Sequence, residues 1–597
     1  MTNLQLLTFL YLLLFAAFLV NCHSQEKKVY VVYMGEKQNA DITVASVQQN
    51  LHYPILERVL GSSVAAKESL VYSYGRSFNG FAAKLSDEEV ARFSDMEGVV
   101  SVLPNTKLQL HTTRSWDFIG LPSDLYVPNS KGEDVIIGMI DSGIWPESHS
   151  FSDEGFGPPP AKWRGKCITE NNFSCNNKII GARYYNHEKY YIETDIKSPR
   201  DPTGHGTHTA SIAAGREVRG ASYFGHGKGI ARGGAPNARI AVYKACWYYG
   251  CSIADILAAF DDAIADGVDV ISVSFGVLGF EYTNDPVAIG SFHALRKGIL
   301  TISSAGNFGP SRAVVSNCAP WLLTVGASTM DRKFITKLVL GNGQIFTGVG
   351  VNSIDLNGTQ FPLIWGGDAA NYSANSFSQT SKGCYPGELN SHKVKGKFVL
   401  CEQRSTGIGV LMADGAGIIM PVQTFDEPAF PFSFPATLLT EEEIAKVLGY
   451  IRSSEKPVAT ILVAEAWKDN LAPIVAPFSA RGPNMLAPDV LKPDLVAPGA
   501  EILAAWSPVA SPSIEPTDTR TTNFFINSGT SMSCPHVTGV AANLKTINPT
   551  WSPAAIKSAL MTTSYMMDPK KARKRKRICL RVWSTQPVNC SEPRTSL

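Results

Sequence analysis

From about Asp134 onward, apolar runs without alternating polar residues recur along the chain. Such runs are typical of strands that are buried on both faces of a parallel sheet. Helical stretches at 253–266 and 287–297 lie between them, and this alternation predicts a doubly wound α/β domain. The runs are Val135–Ile140, Ile240–Tyr243, Val268–Val273, Ile299–Ser303 and Leu322–Val325.

In residues 29–110, before this domain, strand-like and helix-like segments are short and intermixed. Residues 29–34, 69–74 and 98–102 have the composition of strands, and residues 44–60 that of a helix. Ser86-Asp87-Glu88-Glu89 opens a further helix with a capping residue and acids in its first turn. The order strand–helix–strand–strand–helix–strand predicts an α+β ferredoxin-like sandwich of about 80 residues.

Residues 343–466 interrupt the α/β pattern. They are rich in Gly, Pro, Asn and Ser, with short strands such as Gly396–Leu400. The pattern resumes with a strand at 499–503 and a helix around 537–544. We therefore interpret 343–466 as a domain inserted into the α/β domain.

An apolar run from Leu4 to Val20 lies near the N-terminus. The small residues Cys22 and Ser24 that follow it suit signal-peptidase cleavage after Ser24, and a retained membrane anchor is the alternative. No other apolar run approaches the length of about 18 residues that indicates a membrane span. Residues 1–24 are therefore predicted to be a signal peptide, and the mature chain to be secreted without a membrane segment.

Secretion allows disulfides, and three pairs of cysteines are close enough in sequence to close short loops. Spacing does not fix the connectivity, so these pairs are candidates: Cys167 with Cys175, Cys246 with Cys251, and Cys384 with Cys401. Cys318 and Cys534 are expected to be buried thiols. Sequons predict glycosylation at Asn172, Asn357 and Asn371, and a further sequon stands at Asn589.

The charge is distributed unevenly over the 597 residues. The chain has 54 basic and 52 acidic side chains, a net of +2, which argues against a dedicated nucleic-acid binder. Residues 570–597 contain nine basic side chains and one acidic side chain, and the remainder has a net charge of −6. An apolar content of 44% excludes a mainly disordered chain.

Three segments each place one reactive residue beside a predicted buried element. Asp141 follows a buried strand, where α/β proteins position their sites. His205 lies between two glycines before a helix, and Ser531 lies in a Gly-Thr-Ser-Met-Ser segment that also leads into a helix. Together they supply what acyl transfer needs, because a histidine can take the serine proton while the acid holds the imidazole.

With these segments the chain resembles plant subtilisin-like serine proteases (subtilases) of the cucumisin type. The matching strings are Ile140–Ser148, Gly204–Ser211, Ser304–Asn307 and Gly529–His536, in the order Asp, His, Ser. The resemblance implies a subtilisin-like catalytic domain and a secreted serine endopeptidase made as a zymogen. Asn307 would donate to the oxyanion beside the backbone N–H of Ser531. Ser274, Phe275 and Gly276 would pair with extended substrate backbone.

The resemblance also divides the chain. Residues 25–111 would be an inhibitory prodomain, with the maturation cut between His111 and Thr112. Residues 343–466 resemble a protease-associated domain that bears on substrate access or dimer contacts, with a bare spacer as the alternative. The catalytic domain would comprise 112–342 and 467–563. We expect no cofactor and no metal, protein or peptide substrates, the chain's own prodomain as inhibitor, and an extracellular location in the apoplast or cell wall.

Residues 564–597 depart from the family, whose members continue into a fibronectin type III-like domain. Codons for 578–597 can be chosen so that a one-base shift gives Phe-Ala-Tyr-Gly-Ser-Gly-Gln-Leu-Asn-Pro and further family-like sequence. We therefore expect this basic tail to be out-of-frame family sequence, and the encoded form to be impaired in maturation. The alternatives are a catalytically silent binding or decoy protein and a polyanion binder that uses residues 570–577.

Overall fold

The computed structural model describes residues 27–36, 43–74, 78–104, 114–121, 134–279, 281–371 and 381–565. The predicted signal peptide, the predicted cut between His111 and Thr112, and residues 566–597 of the tail lie outside these ranges. The chain divides into two units, Met1–Gln109 and Leu110–Leu597. Within the described ranges, no helix combines the length and the apolar character that crossing a membrane requires.

The first unit contains a four-stranded antiparallel sheet. Across the sheet the strands are Leu70–Tyr74, Phe78–Leu85, Lys28–Glu36 and Ser101–Pro104. This order, with helices after the first and third strands in the chain, confirms the predicted ferredoxin-like arrangement. The strand predicted at 98–102 begins later, because Gly98 has a φ of +89° and the chain turns there before pairing starts.

Helices of the first unit bury their apolar side chains against this sheet. Val32 and Phe81 of the sheet and Leu56 and Phe93 of the helices are all fully buried in one cluster. The last helix begins with the predicted capping residue, since Ser86 and Glu89 cap each other's backbone N–H groups. The helices are Val44–Val47, Gln48–His52, Tyr53–Leu60, Ser63–Ser69 and Asp87–Ser94.

A seven-stranded parallel sheet forms the centre of the second unit and confirms the predicted α/β class. Across the sheet the strands are Leu495–Pro498, Leu323–Ser328, Leu300–Ser304, Val270–Val273, Ile136–Asp141, Arg239–Lys244 and Ile179–Tyr184. The five predicted apolar runs are its five inner strands. The two edge strands were not predicted, because one is only four residues long and ends in proline, and the other includes Gly181 and Arg183.

Helices cover both faces of this parallel sheet. His205–Ala214 and Thr530–Ile547 pack on one face, where Ile212 and Val537 share a core with Val270 and Ile302 of the sheet. Helices Ile253–Asp266 and Pro286–Arg296 pack on the other face. Both of these were predicted, the first with its bounds unchanged. Because the strands are parallel, the carboxyl ends of all five inner strands lie on the same side of the sheet.

A second sheet of eight strands, here the mixed sheet, is inserted between two strands of the parallel sheet. Its strands, in spatial order, are Ile345–Val349, Ala436–Thr440, Gly417–Val422, Phe398–Leu400, Phe361–Trp365, Val458–Ile461, Arg332–Leu340 and Glu465–Lys468. The sheet closes on itself, since Ile345–Val349 also pairs with Arg332–Leu340. The predicted boundaries at 343 and 466 are therefore displaced, because the first lies between two strands of this sheet and the second within its last strand.

The remaining elements are short or peripheral. Strand pairs are Val218–Tyr223 with His226–Ala231, Cys246–Trp247 with Gly250–Cys251, and Ile502–Ala505 with Phe524–Asn527. The other α-helices are Ser115–Phe118, Ser391–Val394, Ile408–Met412, Glu441–Ser453 and Pro553–Thr562. Short 3₁₀ turns are His149–Phe151, Glu170–Asn172, Gly366–Ala369 and Ser381–Gly383.

A buried ionic cluster joins the helix Pro553–Thr562 to the start of the edge strand Leu495–Pro498 of the parallel sheet. Asp494 lies 2.6 Å from the Nζ of Lys492 and 2.9 Å from the Nζ of Lys557. It also accepts a hydrogen bond from the backbone N–H of Thr324 at 2.7 Å. Burial lowers the pKa of Lys492 to about 8, although Asp494 opposes that shift. The carboxylate is therefore needed to keep two ammonium groups in place.

We expect Asp494→Asn to lower the free energy of unfolding by about 3–5 kcal/mol, because it leaves the buried ammonium of Lys492 without its counter-charge. Urea denaturation followed by fluorescence measures the change. Asp489→Asn, at an exposed position, is the matched control and should shift the free energy by less than about 0.5 kcal/mol. Equal effects of the two substitutions would contradict the role given to the cluster.

Candidate active site

The three predicted reactive residues lie at the ends of elements of the parallel-sheet unit. Asp141 is the last residue of its strand and His205 the first residue of its helix. Ser531 lies in the first turn of the helix Thr530–Ile547, where the helix dipole favours negative charge. Glycines permit the close approach of two of these segments, because a Cβ on Gly206 would lie 2.2 Å from the carbonyl oxygen of Gly143.

Asp141 and His205 are joined by a direct hydrogen bond. Nδ1 of His205 lies 2.7 Å from Oδ1 of Asp141, so the ring carries its proton on Nδ1 and leaves Nε2 as the acceptor. The carboxylate also accepts from the backbone N–H of Ser142 at 2.8 Å and from the hydroxyl of Thr209 at 3.1 Å. Asp141 is 3% exposed, so its orientation is fixed by these contacts.

The pKa of His205 lies above its ordinary value. Desolvation lowers this pKa, but the charge of Asp141 and its hydrogen bond raise it by more, and Asp201 contributes in the same direction. A negative charge stabilises the imidazolium form, so the ring loses its proton only at a higher pH than a free histidine does. The side chain remains 34% exposed, which leaves it accessible from solvent.

The hydroxyl of Ser531 has a different partner. Its Oγ donates to the carbonyl oxygen of Ser274 at 2.9 Å, and the hydroxyl of Ser274 donates to the carbonyl oxygen of Ser531 at 3.0 Å. Within the described part of the chain, the hydrogen bonds of Ser531 therefore link it to the strand end and not to His205.

Asn307 is held so that its amide nitrogen remains available. Its Oδ1 accepts from the backbone N–H of Thr530 at 2.8 Å and from the hydroxyl of Thr530 at 2.9 Å. A backbone N–H can only donate, so this contact fixes which end of the amide is oxygen. Nδ2 and the backbone nitrogen of Ser531 lie 3.3 and 3.6 Å from the position that a Cβ on Gly529 would occupy. Glycine at 529 therefore leaves space beside two N–H donors.

Ser274, Phe275 and Gly276 extend the strand Val270–Val273 beyond its pairing with its neighbours. The side chain of Asn317 donates to the carbonyl oxygen of Phe275 at 2.9 Å. A Cβ on Gly276 would lie 2.6 Å from that same amide nitrogen, so glycine allows Asn317 to brace the segment. The structure thus places Ser274 in contact with Ser531, and Phe275 and Gly276 continue the strand beyond its pairing among the described residues.

Asp201 was not among the predicted residues, and it is the most connected group of the site. One of its oxygens accepts from the hydroxyl of Ser142 at 2.9 Å and from the backbone N–H of Gly204 at 2.9 Å. The other accepts from the backbone N–H and the hydroxyl of Thr207 at 2.8 and 2.7 Å. A fully buried carboxylate therefore ties the residue after Asp141 to the first turn of the His205 helix. The sequence signal that could have identified Asp201 is an acidic residue four positions before a helix, in a turn that contains Pro and Gly.

Two histidines and a cysteine next to the site are packing residues, and the cysteine is the buried thiol that was expected. Burial lowers the pKa of His208 to about 3 and that of His536 to about 4, so both rings are neutral at ordinary pH. Burial raises the pKa of the Cys534 thiol to about 11, which leaves it protonated and a poor nucleophile. In the described part of the chain, no group of three or more His, Cys, Asp or Glu side chains is arranged to hold a metal ion.

The three candidate cysteine pairs are each bonded. The pairs are Cys167–Cys175, Cys246–Cys251 and Cys384–Cys401, and both Cys318 and Cys534 are buried thiols. Asn172 and Asn357, two of the sequon residues, are exposed. Asn371, the third, is half-buried, and its side chain donates to the carbonyl oxygen of Gly387 at 3.3 Å.

Family models match both units. The model described as "Subtilase family" matches residues 132–581, and the model described as "Peptidase inhibitor I9" matches residues 29–111. The chain belongs to the subtilase family. This subtilase is therefore a serine endopeptidase that carries its own peptidase-inhibitor propeptide.

Relatives from Arabidopsis thaliana resemble this subtilase over most of its length. It is 49% identical to "Subtilisin-like protease SBT4.3" over 92% of this chain and 74% of that protein. It is 47% identical to "Subtilisin-like protease SBT4.12" over 96% of this chain and 76% of that protein. Among solved structures it is similar to "Sphericase", with a TM-score of 0.36 and 16% identity, covering 72% of this chain and 84% of that one.

We expect Asp201→Asn to lower the pKa of His205, because it removes a nearby negative charge that stabilises the imidazolium. It should also lower the free energy of unfolding by about 1–3 kcal/mol, since a side-chain amide cannot accept from all of these donors. A histidine-labelled NMR titration and urea denaturation measure the two effects. Glu193→Gln, at an exposed acid of the same unit, should change neither. An unchanged His205 pKa would contradict the positioning role of Asp201.

Proposed function

We propose that this subtilase hydrolyses peptide bonds through Ser531 as nucleophile, His205 as general base and Asp141 as the group that orients the imidazole. The observation that carries the proposal is the 2.7 Å hydrogen bond between Asp141 and Nδ1 of His205. It leaves Nε2 unprotonated, which is the form that a general base needs, and it stabilises the imidazolium that proton transfer creates.

Attack begins when the Ser531 hydroxyl leaves the carbonyl oxygen of Ser274 and turns toward Nε2 of His205. Catalytic hydrogen bonds are often formed only in the substrate complex, so the resting contact with Ser274 is compatible with this step. The Ser531 oxygen then adds to the scissile carbonyl while His205 takes its proton. His205 returns the proton to the leaving amine, and water hydrolyses the acyl-enzyme by the same route.

The negative oxygen of the tetrahedral intermediate would be held by Nδ2 of Asn307 and the backbone N–H of Ser531. Both donors lie beside the space left by Gly529, and Thr530 fixes the Asn307 amide in the required orientation before substrate binds. Donors that are oriented in advance stabilise the transition state without further reorganisation. Substrate backbone would add as an extended strand along Ser274, Phe275 and Gly276.

We further propose that the chain is secreted to the apoplast or cell wall and matures by cleavage between His111 and Thr112. The signal-like run 1–24, the three disulfides and the sequons at Asn172, Asn357 and Asn371 support secretion. The mixed sheet, inserted between two strands of the catalytic sheet, would be the protease-associated domain and would offer contacts for a dimer.

Expression of the full chain and of its Ser531→Ala variant tests the proposal. The parent chain should acquire Thr112 as its N-terminus, at the reduced yield expected from its tail, and the processed fraction should hydrolyse an unstructured protein substrate. The variant should lose about 10⁶-fold in kcat, the loss known for subtilisin itself, and should remain unprocessed. Mass spectrometry identifies the N-terminus, and Ser533→Ala is a matched serine control on the same helix. Equal hydrolysis by parent and Ser531→Ala chains would refute the proposal.

A further inference from the structure

A cavity of about 660 Å³ opens beside Asn307, between the catalytic loops and the mixed sheet. Its volume lies within the range of sites that bind small ligands or side chains. Asn307 and Ser528 line it from the catalytic side, and Glu402, Arg404, Glu427 and Glu441 line it from the mixed-sheet segment. The inserted domain thus forms a wall of a space that begins at the proposed oxyanion donor.

The cavity lies on one side of the proposed nucleophile. Ser528 lies three residues before Ser531, and Asn307 contacts Thr530 between them. Ser274 contacts Ser531 from the strand extension, and none of Ser274, Phe275 and Gly276 lines the cavity. A substrate that is paired with that strand extension and passes the nucleophile would therefore continue into the cavity. If the strand extension holds the part of the substrate that precedes the scissile bond, the segment in the cavity is the one that follows this bond and departs as the leaving group.

The charges of the wall do not cancel. Arg404 forms an ion pair with Glu427, so this guanidinium is already neutralised. Glu402 lies 3.6 Å from Lys382, which is not part of the wall. Glu441 is the exposed first residue of its helix, and no ion pair within the described residues includes it. Glu402 is thus compensated by a lysine outside the wall, and the unpaired Glu441 gives the cavity its excess of negative charge.

We propose that this cavity binds the leaving-group segment of the peptide substrate and favours a lysine or arginine there. The inference rests on the proposed function. It assigns to the mixed sheet a preference for basic residues after the scissile bond. Partly exposed ion pairs contribute little each, so attraction of lysine and repulsion of glutamate by this excess charge should together favour lysine by about tenfold in kcat/KM at low salt.

Internally quenched peptides that differ only by Lys or Glu at the first three positions after the scissile bond test the proposal. The double variant Glu402→Gln, Glu441→Gln should reduce the ratio of kcat/KM for the Lys peptide over the Glu peptide to near unity. Glu455→Gln, at an exposed acid outside the cavity, should keep the parent ratio. High salt should reduce the parent ratio as well.

Binding of the same peptides to the Ser531→Ala chain, measured by fluorescence anisotropy, gives a readout without turnover. Tighter binding of the Lys peptide, lost in the double variant, supports the proposal. Equal binding of the two peptides, a ratio that survives the double substitution, or a preference confined to positions before the scissile bond would overturn it. If hydrolysis itself does not require Ser531, the proposed function fails, whereas loss of the charge preference alone leaves that function standing.

Discussion

The site depends on one buried carboxylate that is not itself proposed to react. Asp201 accepts from Ser142, which follows Asp141, and from Gly204 and Thr207, which flank His205. These contacts hold the end of a strand and the start of a helix at a fixed separation. The hydrogen bond between Asp141 and His205 follows from that separation, because each side chain is then oriented by its own backbone. As a result, Nε2 of His205 is the nitrogen that can accept a proton.

The nucleophile is supplied by a different part of the fold. Its helix packs against the same face of the parallel sheet as the His205 helix, and Ser531 is held at the strand end by the reciprocal contacts with Ser274. The segments around Asp141 and Ser531, more than 300 residues apart in the chain, thus both lie at the carboxyl ends of strands in one sheet. Part of the intervening chain forms the mixed sheet, and acidic residues of that segment line a cavity beside Asn307.

Sequence patterns predicted the features that have a strong physical signature. The five inner strands are apolar on both faces, and the helix Ile253–Asp266 has a clear boundary at Gly267. The edge strands and the limits of the mixed sheet were missed or displaced, because short strands that pair on one side carry a weak pattern. The role of Asp201 and the hydrogen bond of Ser531 to Ser274 depend on contacts between distant segments, which no local pattern contains. Asp141, His205 and Ser531 were found because each lies at the end or in the first turn of a regular element, within a motif that resembles the family.

The rate at which a fluorophosphonate labels Ser531 in the mature chain, measured as a function of pH, tests the central claim most directly. If neutral His205 activates Ser531, labelling should rise with pH through an apparent pKa above the ordinary histidine value of about 6.5, and Asp141→Asn should slow it strongly. Labelling that is independent of pH, or unaffected by Asp141→Asn, would contradict the account.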